Sequence, residues 1–162
     1  MTVKIISIDP GYERVGIAVL EKETGSNKEN LLYSDCFQTS PKLPFSERLK
    51  LIGTEIEKLI EKYKPERMAL ELLFFNSNQK TAMGVAEARG AIKYAALKNN
   101  LEIFEYSPLQ IKIAITGYGK GDKKQITAMV GRLIEINKEI KYDDEYDAIA
   151  VGLTYFAINP VK

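Results

Sequence analysis

No histidine occurs in the 162 residues. That absence excludes Ser-His-Asp and Cys-His catalysis, removes the commonest general base and rules out nearly all zinc sites. Any chemistry must come from carboxylates, Lys, Tyr, Ser/Thr or a bound ion. One cysteine, Cys36, excludes an internal disulfide and fits a reducing cytoplasm. No apolar run approaches the roughly 20 residues needed to cross a bilayer. MTVKII at the N-terminus lacks an apolar h-region, so neither a signal peptide nor a membrane partner is expected. An excess of charge is missing too. Lys and Arg number 23 against 22 Asp and Glu, a net charge of +1. A nucleic-acid ligand would therefore need locally clustered cations.

What is present suits one domain, residues 1–162, with a real hydrophobic core. Residues 3–9, 15–20 and 31–38 are predicted strands joined by short polar links, an antiparallel meander. Phe45, Leu49, Ile52, Ile56, Leu59, Ile60 and Tyr63 recur at helical spacing and stop before Pro65. Strand 67–73, helix 79–98 and strand 101–106 follow. Helix 108–115 starts behind Ser107 with Pro108 at its first position. A glycine-rich basic loop, TGYGKGDKK at 116–124, leads into helices 123–136 and 144–158. A meander followed by alternating helices and strands predicts an α/β fold, a mixed five-stranded sheet with helices on both faces.

Four acids stand out against this frame. Asp9 ends the first strand, on the face of Ile5 and Ser7. Glu71 lies in the apolar run MALELL, where an unpaired carboxylate would cost several kcal/mol or shift its pKa. Asp144 and Asp147 open the last helix three residues apart, above Ala148 and Val151. Each also has an ordinary structural explanation: a strand end for Asp9, an N-cap for Asp144. Together they place four carboxylates, from three elements, on covered surface. Such a group is relieved by Lys or Arg, by protonation or by a hard divalent cation with oxygen ligands. Two ions roughly 3.5–4 Å apart suit phosphodiester hydrolysis.

IDPG at 8–11 with Gly16, LELLF at 70–74, EARG at 87–90, FEY at 104–106 and DEYDAIAVGLT at 144–154 carry a resemblance over nearly the whole chain. In that order they resemble the RuvC-type Holliday-junction resolvases. The resemblance implies a ribonuclease H-like fold, a homodimer and Mg²⁺- or Mn²⁺-dependent cleavage of four-way junction DNA in recombination and repair. It implies an acidic, metal-binding tetrad at Asp9, Glu71, Asp144 and Asp147, with Asp143 the alternative in register. A branch-migration helicase complex is a further partner to expect.

DNA contacts are expected from two places. Phe74 and Phe75 follow Glu71, and an exposed aromatic beside the acids could stack on or wedge between bases. The resemblance favours Phe74. Lys112, Lys120, Lys123 and Lys124 surround the glycine-rich loop, where close backbone approach lets lysines meet phosphates. The resemblance favours Lys112 and Lys123, with Lys124 the alternative. Arg89 is equally suited to a structural pair. The many alanines of helix 79–98 make it the candidate dimer contact. Three rivals stand beside this reading: a ribonuclease H cutting RNA–DNA hybrids, a sugar-kinase-like nucleotide binder, and a catalytically silent junction-binding protein.

Overall fold

The computed structural model describes residues 1–73 and 79–161. Five strands, β1 Thr2–Asp9, β2 Arg14–Glu23, β3 Glu29–Gln38, β4 Arg67–Glu71 and β5 Glu102–Tyr106, form a single sheet ordered β3-β2-β1-β4-β5. The first three pair antiparallel; β4 and β5 are parallel to β1. Among the described residues there are five helices: α1 Phe45–Tyr63, α2 Gln79–Lys98, α3 Pro108–Thr116, α4 Lys123–Leu133 and α5 Asp143–Ile158.

The strict alternation of β1 fills two cores at once. Val3 and Ile5 pack with Ala18 and Leu20 beneath α3, α4 and α5. Ile6 and Ile8 pack with Ile17 and Val19 against α1 and α2. Each fully buried isoleucine contributes about 1.5–3 kcal/mol, so a slip of one residue would expose one whole set. α5 is buried almost all round from Ala148 to Phe156. That explains its lack of a one-sided apolar stripe.

Two glycines let α5 sit tightly on the sheet. A Cβ on Gly16 would lie 1.9 Å from the Asp144 carbonyl oxygen. One on Gly152 would lie 2.6 Å from Leu20 Cδ1 and 2.8 Å from Ser7 Oγ. The Ser7 hydroxyl donates to the Ala148 carbonyl at 2.7 Å, fixing the helix over β1.

Element ends follow local chemistry. Ser107 and Gln110 form a capping box with Pro108 behind it, and Gly117 ends α3 in a left-handed turn (φ 71°). Asp122 and Gln125 form a second box at the start of α4. That helix stops at Leu133 rather than at 136, because Ile134 turns extended and buries its side chain in the core. β4 stops at Glu71 rather than 73. Asp144 is not an N-cap: Tyr142 holds that position, and Asp144 lies within the first turn of α5. Gly84 is closely packed, with a Cβ there 2.7 Å from the Tyr12 ring; Gly90 faces open space. Among the described residues no helix is long and apolar enough to cross a membrane.

Candidate active site

Ile8 and Leu70 are partners on the parallel strands β1 and β4. The next residue on each is an acid, so Asp9 and Glu71 end adjacent strands side by side. Both face α5, as Ser7 and Ala69 do one step earlier. The carboxyl ends of parallel strands are where open α/β sheets collect their ligands. α5 then brings Asp144 and Asp147 over the same strand ends.

Electrostatics show that the four acids share one locality. Burial raises the Asp9 carboxyl well above its usual range; Glu71, Asp147 and Asp144 raise it further. Burial also raises Glu71, which the hydrogen bond with Asp9 partly offsets, and Asp147 raises it again. Asp147 is raised by burial despite the opposing pull of Lys123. Burial and the neighbouring carboxylates thus press most strongly on Asp9.

Cations hold the two helix acids. Lys123 Nζ lies 3.3 Å from Asp147 Oδ2 and 3.5 Å from Asp143 Oδ2. Arg14 Nε lies 3.3 Å from Asp144 Oδ2. Among the described residues no three acids are yet drawn closely enough to enclose an ion. The donor set nevertheless suits a hard divalent cation: all four groups offer only oxygen, burial raises three of them (Asp9, Glu71 and Asp147), and no imidazole intrudes. A divalent cation, when bound, would take the place of Arg14 and Lys123 as the partner of Asp144 and Asp147.

A cavity of about 300 Å³ opens beside the acids, lined by Glu71, Lys112, Gly121, Lys123, Ile126 and Asp147 among others. The structure thus places Lys112 and Lys123 beside Glu71 and Asp147. Lys120 and Lys124 are exposed and lie outside that lining. Between the two register alternatives, Lys123 is the one at the site. Phe74 and Phe75 lie outside the described residues. Arg89 is structural, donating to Glu105 from α2.

Sequence reasoning missed two residues. Arg14 carried no signal, since one cation before an apolar strand is ordinary. Glu145, 4% exposed, accepts from Ser34 Oγ at 2.6 Å and pairs with Lys138. It ties the start of α5 to β3. In DDEYD it looks like any other acid; only helix phase separates it from Asp144 and Asp147.

The family model for crossover junction endodeoxyribonuclease RuvC matches residues 5–155. The crossover junction endodeoxyribonuclease RuvC of Fusobacterium nucleatum is 43% identical over 152 residues, 94% of this chain and 79% of that one. The protein of the same name from Halothermothrix orenii is 42% identical, covering 93% and 90%. T. thermophilus RuvC, solved in complex with a Holliday junction substrate, superposes with a TM-score of 0.89 at 29% identity, covering 96% of this chain and 94% of that chain. The yeast mitochondrial resolvase Ydc2 shares the fold at a TM-score of 0.70 and 15% identity. A mixed sheet in this strand order, a match over most of the chain and relatives of one name lead to one conclusion. The fold is ribonuclease H-like, and the chain belongs to the RuvC family of crossover junction endodeoxyribonucleases.

Proposed function

We propose that this chain resolves four-way DNA junctions by paired, symmetric nicks, and that Asp9, Glu71, Asp144 and Asp147 are its catalytic, metal-holding residues. The observation that supports this reading is that β1, β4 and α5 bring four carboxylates to one set of strand ends, near enough to raise Asp9 together, with Lys123 against Asp147. The oxygen-only donors suit Mg²⁺, two ions per site, with Mn²⁺ as the alternative. Such ions would supply an activated water and stabilise the departing 3′ oxygen.

The protein's own groups do the rest. Asp9, Glu71, Asp144 and Asp147 would hold the ions. Lys123 leaves Asp147 for a phosphate of the scissile strand, and Lys112 meets the same strand across the cavity. Lys120 and Lys124 neutralise phosphates farther out. Phe74, just beyond Glu71 in sequence, wedges between bases at the junction centre.

Paired nicks require two sites related by a two-fold axis. α2 offers the surface for a homodimer. Met83, Tyr94 and Leu97 are 68%, 67% and 60% exposed, and Gly90 lies open between them. A stripe of large apolar residues with a small one at its centre suits close helix–helix approach. Residues 1–162 act as one domain in the cytoplasm, with a branch-migration helicase complex as a further partner.

The test is a substrate panel. Labelled four-way junction, linear duplex and RNA–DNA hybrid are incubated with the protein, with and without Mg²⁺. Symmetric nicks confined to the junction, and only with metal, are expected. Cleavage of the hybrid alone would replace the resolvase reading with that of a ribonuclease H.

A further inference from the structure

The acid cluster has cations on both flanks. One flank is the cavity that holds Lys112 and Lys123. The other is an open cleft of about 220 Å³, bounded by Asp9, Gly11, Tyr12, Arg14 and Asp144 among others. Arg14 is the first residue of β2, two before Gly16, which pairs with Asp9. Its side chain is 51% exposed, and its guanidinium carbon sits 5.3 Å from the centre of the Tyr142 ring. This cation–π contact leaves N–H donors of the guanidinium for polar partners.

The ion pair with Asp144 is built to be exchanged. A pair this open to solvent on the arginine side contributes little, so little opposes its release. Asp144 engages Nε at 3.3 Å, and a guanidinium carries four further N–H donors in a planar fork that matches phosphate. When a metal ion takes Asp144, Arg14 loses its partner beside an open cleft. A backbone phosphate in that cleft restores one. Lys123 faces the same exchange at Asp147 on the opposite flank.

We propose that Arg14 is a phosphate-binding and positioning residue that holds Asp144 in the free protein and passes to a DNA backbone phosphate when the metal takes Asp144. This rests on the resolvase reading. The strand would then be gripped on both sides of the acids. Metal and DNA would strengthen each other's binding, because each releases what the other needs.

The experiment compares the full chain with Arg14→Gln and Arg14→Lys. Binding of a fluorescent four-way junction is followed by anisotropy across a salt series in Ca²⁺, whose preference for oxygen ligands matches that of Mg²⁺. Arg14→Gln should flatten the slope of log affinity against log salt by about one. Raising salt from 50 to 200 mM should then weaken its binding roughly threefold less than wild type's. Arg14→Lys should keep the wild-type slope. Without DNA, Arg14→Gln should reach half-maximal thermal stabilisation at lower Mn²⁺ than wild type, since nothing competes for Asp144. An unchanged slope with weaker Mn²⁺ binding would overturn the proposal and leave Arg14 as a support for Asp144. If the wild-type chain itself does not prefer junction to linear duplex, the resolvase reading fails and this inference falls with it.

Discussion

Asp9 and Glu71 occupy the position after the Ile8–Leu70 pair on two adjacent parallel strands, close enough for each to act on the other's carboxyl. Two half-buried carboxyls so placed cannot both ionise cheaply. Burial and then Glu71 hold Asp9 well above its usual range.

The sign of the pH effect follows. A carboxyl raised in the folded state binds more protons folded than unfolded, so its contribution to stability falls as pH rises. The fall starts at the unfolded value, about 4, and runs through the raised folded value. In chelator, Asp9→Asn should therefore gain stability over wild type as pH climbs from about 4 to 8, each kcal/mol appearing as about 2–4 °C. Melts at several pH values check this. A constant difference would mean that Asp9 is ionised throughout.

Gly16 and Gly90 should respond in opposite directions to alanine. A Cβ at Gly16 meets the Asp144 carbonyl at 1.9 Å, so Gly16→Ala must lift the first turn of α5. A cost of about 1–3 kcal/mol and a loss of cleavage are expected. Gly90 is a helix-interior residue with open space around it, so Gly90→Ala should stabilise the isolated chain by about 0.5–1 kcal/mol. If α2 is the dimer surface, the same change should weaken self-association. Denaturant melts and sedimentation separate the two effects.

Lys123 and Lys124 are adjacent in sequence and differ in surroundings. Lys123 reaches Asp147 and lines the cavity. Lys123→Ala should lower single-turnover junction cleavage by about 10²-fold, the typical cost of losing one preorganised donor. Lys124→Ala should stay within a few-fold of wild type. Equal losses would mean that the loop binds DNA only as a diffuse positive surface.

On the other face of the sheet, Glu105 accepts from Lys93 at 3.0 Å and from Arg89. Burial raises Glu105, but the bonds from Lys93 and Arg89 outweigh it and hold the carboxyl below its usual range. Glu105→Gln should destabilise the chain by about 1–3 kcal/mol, since Arg89 is left buried without its counter-charge. Its own stabilising contribution is present above the unfolded carboxylate value and is lost as pH falls through the folded one. Melts of both chains from pH 7 down to 3 should therefore converge.

Much of this was legible in the chain because it rests on period and on local chemistry. Alternation in VKIISID put Asp9 on the face of Ser7, where Ser7 bonds to α5. Glu71 was conspicuous because an acid in an apolar strand needs a reason. Ser107–Pro108 marked the start of α3 through its capping chemistry. The sequence could not show what depends on contacts between distant elements. The early end of α4 comes from Ile134 finding the core. Gly84 and Gly90 look alike until Tyr12 is seen against only one of them. Arg14 gained meaning only when Asp144 arrived from 130 residues away. Lys123 was separated from Lys124 by the rotation of one helical position.

The central claim is that the four clustered carboxylates make the chain a metal-dependent junction nuclease. The most direct measurement is cleavage and binding of one labelled four-way junction by wild type and Asp9→Asn, with Mg²⁺ and with chelator. Wild type should nick two strands of like polarity at symmetric positions in Mg²⁺ alone, while Asp9→Asn binds the junction and leaves it intact. Cleavage by Asp9→Asn at the wild-type rate, or by wild type in chelator, would contradict the account.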